Sequence, residues 1–331
     1  MKLVSKTAWW APGLILALFC MVGCKPGPEK YRVSPGLQAA RLRVTTQPHT
    51  PDAWVSLGQA YTTDGLYNDA YIAYKKAWGM DQKNAEALRG LAEASLSLGN
   101  PQTGMGWVKQ ALALDSTDAA SIGLRGRLKF AQGDVPGAMA DITYAGKLGP
   151  LALKDSLALT NLYLAQRNPS QGLAEAADTV RRFPLEGQAH HNYAVLLDNQ
   201  KRWNDAEDEY RLAFKCDPKG NLKDKLYLAQ LLVRQKQKLD EARTLALEVA
   251  TQEPMNGVPA AVASRALYLK GDKQSGYKEL LNVQREFSNN VMILYWIYEE
   301  SKELGDKPVE EAVGQVLSNL ARSAQPQPSK K

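Results

Sequence analysis

Glycines stand at 65, 99 and 133 and again at 271 and 305, and prolines at 150, 184 and 218; within each run the step is 34 residues. A fixed period of this length describes a row of small supersecondary units. Each unit is unable to bury its apolar face alone and stacks on its neighbour. Composition agrees. The chain is 44% hydrophobic and 23% charged, ordinary globular values that exclude wholesale disorder. Its 331 residues accommodate one long array and a large core without disulfide staples.

Residues 51–61 contain Trp54-x2-Leu57-Gly58-x2-Tyr61, followed by Ala70-x3-Tyr74. This pattern resembles the tetratricopeptide repeat, with Tyr74 for the usual Phe and Gln82 where a proline would stand. The resemblance implies an all-α, right-handed α-solenoid of seven to eight helix-turn-helix repeats. Repeats set at 51, 85, 119, 153 and 187 need no insertion. A sixth set at 221 carries two extra residues near Gln235-Lys236-Gln237, and the last two begin at 257 and 291. The twentieth position, where the resemblance implies a close helix crossing, then holds Ala70, Gly104, Ala138, Gly172, Ala206, Ala242, Gly276 and Glu310. The eighth position is mostly small too. The recurring glycines fall in the turn between paired helices, where a left-handed residue ends the first helix. Pro150, Pro184, Pro218 and Pro254 stop the second helices. Residues 34–50 read as half a repeat capping the N-terminal end, 51–290 as seven repeats, 291–323 as an eighth repeat and cap, and 324–331 as a disordered tail.

The N-terminus reads as an export signal over 1–23. Lys2 and Lys6 precede a 16-residue apolar run over 8–23, short for a permanent membrane span, which takes about 20 residues. It ends in Met21-Val22-Gly23-Cys24, which resembles the bacterial lipobox. That resemblance implies cleavage before Cys24 and acylation of its sulfur and new amine. Cys20 is the poorer acceptor because bulky Phe19 precedes it. Three acyl chains should anchor stably where one myristoyl holds only reversibly. Residues 24–33 read as a flexible tether, given Pro26, Gly27 and Pro28. Lys25 is not the Asp associated with inner-membrane retention, so the periplasmic side of the outer membrane is expected.

Catalytic and metal chemistry find little material. Cysteine occurs only at 20, 24 and 216 and histidine only at 49, 190 and 191; the zinc-peptidase, P-loop, nucleophile-elbow and dinucleotide motifs are absent. Adjacent His190 and His191 point about 100° apart on a helix and cannot chelate one metal from one face. Cys216 and His190 are expected in the core. The formal charge of +6 is spread along the chain and is weak evidence for nucleic acid. No cofactor, metal, nucleic acid or small-molecule substrate is expected.

In the family resembled, the second, fifth, ninth and twelfth positions of the first helices line a concave groove. Carried over, they place Arg89, Arg127, Lys154, Asn161, His191, Lys225 and Arg265 there, a mildly basic lining suited to an acidic peptide segment, with Asn161 resembling the asparagines that grip a peptide backbone. Arg127 and Lys225 are expected in solvent. Signal and array together resemble the tetratricopeptide lipoproteins that assist pilus and secretion machines. The expected function is a non-catalytic, lipid-anchored scaffold for periplasmic or outer-membrane proteins. A regulatory subunit of a cell-wall or polysaccharide-export enzyme complex is the alternative.

Overall fold

The computed structural model describes residues 34–217, 222–287 and 290–323. The signal, Cys24, the tether, Pro218 and the tail, all read from sequence above, lie outside these residues. The chain divides into two compact units, residues 1–114 and 115–331, and every element among the described residues is helical.

Unit 1 comprises α1 (Pro35–Thr46), α2 (Pro51–Thr63), α3 (Tyr67–Met80), α4 (Ala85–Ser97) and α5 (Pro101–Leu114). Unit 2 comprises α6 (Ala119–Ala131), α7 (Val135–Leu148), α8 (Leu153–Ala165), α9 (Pro169–Arg182), α10 (Gly187–Asn199), α11 (Trp203–Cys216), α12 (Leu222–Gln235), α13 (Leu239–Gln252), α14 (Gly257–Lys270), α15 (Lys273–Glu286), α16 (Val291–Leu304) and α17 (Lys307–Ser323). In each unit helices pair as antiparallel hairpins and the hairpins stack, which makes each an α-solenoid segment. Half-repeat α1 packs Leu37 and Ala40 against Leu57 and Ala73 of the first full hairpin.

Local chemistry sets the helix ends. Asn84, Asp118, Asp134, Asn168, Asp272 and Asn290 cap helices by accepting backbone N–H groups in the first turn. Gly65, Gly99, Gly133, Gly271 and Gly305 all have positive φ, as the turn requires. The remaining three repeats hold the same slot with Arg167, Lys201 and Lys236, also left-handed, at a steric cost glycine avoids.

The crossing contact is made by the small residues. Ala70, Ala138, Ala206 and Ala242 are fully buried, and a Cβ on Gly276 would stand 2.5 Å from the Tyr268 backbone nitrogen. The eighth position also faces a second helix: a Cβ on Gly58 would lie 2.7 Å from the Tyr74 ring. In the last repeat the sizes are exchanged, Tyr298 at the eighth position and Gly314 where Tyr74 sits; a Cβ on Gly314 would lie 3.2 Å from the Tyr298 ring. Two positions that touch must sum to one volume, and either can carry the bulk.

Three expectations change. The register of α12 is one residue later than the spacing from 221 gives: the helix begins at Leu222, Ala229 rather than Leu228 fills the small slot, and Lys236 takes the left-handed turn. The two extra residues are therefore split, one before α12 and one in the turn over 236–238, where Lys238 is left-handed as well. Cys216 is half-buried rather than core, because its column is a rim position: Met80, Leu114 and Leu148 are all substantially exposed. Glu310, placed on the solvent face of the cap, is largely covered and pairs with Lys307 at 3.1 Å.

Candidate functional site

The first helices of unit 2 carry most of the residues that the sequence assigns to a groove. Their basic side chains do not stand free in solvent. Arg127 on α6 bonds Asp155 on α8 at 2.8 Å, and the two side chains are only 16% and 6% exposed. Gly123, one turn before Arg127, makes that geometry possible, since a Cβ there would meet the Asp155 carboxylate at 2.4 Å. His191 on α10 pairs with Asp224 on α12 and meets the Tyr227 ring edge-on at 5.2 Å. Arg234 on α12 pairs with Asp198 on α10. Arg265 on α14 bonds Glu300 on α16 at 2.7 Å. Each pair joins one repeat to the next, so these charges tie the stack together. The expectation that Arg127 lies in solvent is corrected: a guanidinium beside a buried carboxylate completes that carboxylate's environment, and reversing it leaves a buried charge uncompensated.

Lys225 is corrected as well, through the α12 register. It occupies the slot of Trp54, Leu88 and His190, which faces second helices. Its ammonium bonds Glu248 of α13 at 2.7 Å and lies 5.0 Å from the Phe214 ring of α11. His190 behaves likewise, as expected of a packed residue: it is buried, its Nδ1 faces Glu209 at 2.7 Å and its Nε2 faces the Pro184 carbonyl at 3.0 Å. The two histidines thus turn to different carboxylates. Lys154 and Asn161 are exposed on α8, and Arg89 is half-buried on α4 in unit 1.

Of the seven residues assigned, Arg265 lines a pocket. Gln230, Val233, Arg234 and Lys236 from α12 and its turn, Arg265 and Leu269 from α14, and Met292 and Trp296 from α16 enclose a cavity of about 220 Å³. With α12 counted from Leu222, Gln230 and Val233 fall at the ninth and twelfth positions, and Met292 is the second of its repeat. The positional rule therefore contained much of this pocket, and the one-residue slip hid it. The lining combines an apolar floor with three cationic groups. Arg234 and Arg265 are each paired with a carboxylate, while Lys236 is exposed.

Beneath the pocket, Glu300 is fully buried, and among the described residues its Oε1 accepts from Arg265 while Oε2 has no hydrogen-bond partner. Burial pushes its carboxyl up to about 7 against the opposing pull of Arg265. Farther along, burial alone would raise the Asp141 carboxyl, but hydrogen bonds from Arg125 and Lys129 hold it below its ordinary range. These arrangements present hydrogen-bond donors and apolar surface. Among the described residues no three His, Cys, Asp or Glu side chains gather as a metal site.

Residues 157–221 match the tetratricopeptide repeat family. No curated protein matches the chain in sequence. Among solved structures, a chain of the APC/C hetero-tetramer Cut9-Hcn1 is similar over 80% of this chain, with a TM-score of 0.64 and 11% identity; the match spans 52% of that chain's length. PilF of Pseudomonas aeruginosa gives a TM-score of 0.51 at 21% identity, over 68% of this chain and 96% of PilF. Yeast Tom70 gives 0.51 at 17% identity, over 86% of this chain and 61% of Tom70. The fold is that of tetratricopeptide arrays.

Proposed function

We propose that this protein is a non-catalytic scaffold, lipid-anchored through Cys24 on the periplasmic side of the bacterial outer membrane, that holds partner proteins during assembly of an envelope complex such as a pilus or secretion system. The observation that carries the binding half of this reading is the pocket between α12, α14 and α16. Its Met292, Leu269 and Trp296 suit an apolar anchor residue, and Arg234, Lys236 and Arg265 suit acidic groups flanking it. Buried aromatic anchors ringed by charge are where interface energy concentrates. The lipobox motif supports the anchor, and the pairing of that motif with a repeat array supports the envelope role by resemblance.

The test is site-specific photo-crosslinking in the native envelope. A photoreactive residue at Met292 should capture a discrete partner, and one at exposed Lys278 on the outer helix α15 should not. Lys236→Glu should reduce the Met292 capture and flatten its loss with salt, because it turns an attractive rim charge, which salt screens, into a repulsive one. Equal capture from both positions, or capture indifferent to Lys236→Glu, overturns the pocket assignment. Acyl mass on Cys24 by intact-mass analysis tests the anchor independently.

A further inference from the structure

The outer surface of the first hairpin in unit 1 combines exposed apolar, aromatic and cationic groups. Trp54, Tyr71, Ile72, Lys75 and Lys76 border an open, mostly apolar depression of about 440 Å³. Ile72 stands 65% exposed on α3, and Leu42 is equally exposed on α1. The ammonium of Lys75 lies 4.3 Å from the Trp78 ring and 4.5 Å from the Trp107 ring, and that of Lys76 lies 5.9 Å from the Trp54 ring. Among the described residues neither lysine has a carboxylate partner. This contrasts with Arg127, His191, Arg234 and Arg265 of unit 2, each matched by an acid from a neighbouring repeat.

Charge on the adjoining chain points the same way. Residues 30–51 contain Lys30, Arg32, Arg41 and Arg43 and no Asp or Glu. Arg41 and Arg43 flank exposed Leu42 on α1, which packs on α2 and α3. Trp54 belongs to the apolar clusters on both sides of α2, so it connects the α1 edge to the α3 depression.

We propose that this face of unit 1 is a membrane-contact surface that rests on anionic phospholipid headgroups, with Ile72 and Leu42 entering the interface and Lys75, Lys76, Arg41 and Arg43 pairing with lipid phosphates. Amphipathic Trp and Tyr rings settle at headgroup level, and long Lys and Arg side chains keep an apolar stem in the interface while the charge reaches phosphate. The occupant is argued from distance along the chain. Ser34, the N-cap of α1, lies ten residue steps beyond Cys24, and ten steps extend to at most about 35 Å. A lipid at Cys24 therefore confines unit 1 to the membrane surface, and weak contacts become effectively intramolecular. The inference rests on the proposed anchor, but it concerns a surface the anchor does not require.

The experiment uses the full-length protein purified from membranes and reconstituted in vesicles of phosphatidylcholine, with or without phosphatidylglycerol. A nitroxide is attached at Ile72→Cys in a Cys216→Ser background. A second sample carries it at Thr63→Cys, an exposed position on the α2 stripe of Gln59, which faces α4. In phosphatidylglycerol vesicles the Ile72 label should gain oxygen contact and lose contact with a water-soluble nickel relaxant, while the Thr63 label stays aqueous. Lys75→Ala with Lys76→Ala should lower the ratio of immersed to lifted label roughly thirtyfold, from about a factor of five per lysine at an anionic surface. An aqueous Ile72 label in phosphatidylglycerol vesicles overturns the proposal. Protection at Ile72 in native membranes alone also overturns it, in favour of a protein partner. Intact mass of the same sample reads the anchor separately, so an unacylated Cys24 condemns that reading without deciding the label result.

Discussion

Gly276→Ala isolates the contact on which the stacking depends. In an unconstrained helix interior, replacing glycine by alanine stabilises by about 1 kcal/mol. At Gly276 the new Cβ would stand 2.5 Å from the Tyr268 nitrogen and 2.8 Å from its Cα, where an ordinary contact is about 3.5 Å or more. These are backbone atoms in α14, so no rotamer change relieves the overlap. Tyr268 is itself buried and its hydroxyl donates to Glu303 at 2.6 Å, which resists sliding the helix away. Forcing α14 and α15 apart falls in the range of overpacking, about 1–3 kcal/mol. Set against the propensity gain, the net is a loss of about 1 kcal/mol. Gly106→Ala provides the reference, because Gly106 lies inside α5 with nothing within 4 Å of its Cβ position; it should stabilise by about 1 kcal/mol. The same chemical change should thus have opposite signs at the two sites. A repeat array opens locally, so amide hydrogen exchange in α14–α15 and in α5 is the suitable assay. Slower exchange in α14–α15 of Gly276→Ala, comparable with the slowing in α5 of Gly106→Ala, would refute the crossing geometry.

Two further outcomes follow from individual side chains. Burial pushes the Glu300 carboxyl up to about 7 from an ordinary 4.5, so the folded state binds more protons between those values and stability falls as pH rises through them; Glu300→Gln should abolish that fall, so that the stability of the variant relative to wild type rises by roughly 3 kcal/mol between pH 4 and pH 8, and urea midpoints of variant and wild type that keep the same difference at both pH values refute the burial argument. Lys201→Gly removes a β-carbon from a left-handed backbone at φ 61° and should stabilise by about 0.5–1 kcal/mol after the added freedom of the unfolded chain is counted, where a lowered melting temperature contradicts the turn geometry.

The sequence alone determined the helical hairpin and its repetition, because both depend on short-range chemistry at fixed spacing. Asn84 or Asp118 caps a helix through bonds three residues away, Gly133 ends one through its own φ, and Ala138 is small wherever a second helix must cross a first. Such signals survive in the letters at every period. They also fix which face of a helix turns inward, which is why His190 is buried as its repeat position implies.

Tertiary structure decided what the charged residues do. Arg127, His191, Arg234 and Arg265 meet acids 28, 33, 36 and 35 residues away, and the partners fall at the third (Asp155 and Asp224), twelfth (Asp198) and tenth (Glu300) positions of their repeats. No single spacing announces those pairs, because long side chains reach across the stack to whichever carboxylate the packing leaves within bonding distance. The α12 register likewise escaped the letters: Leu228 and Ala229 are neighbours, and only close packing selects the smaller for the crossing. That one-residue choice turns Lys225 toward the second helices and brings Gln230 to the pocket, since each step along a helix rotates a side chain by about 100°.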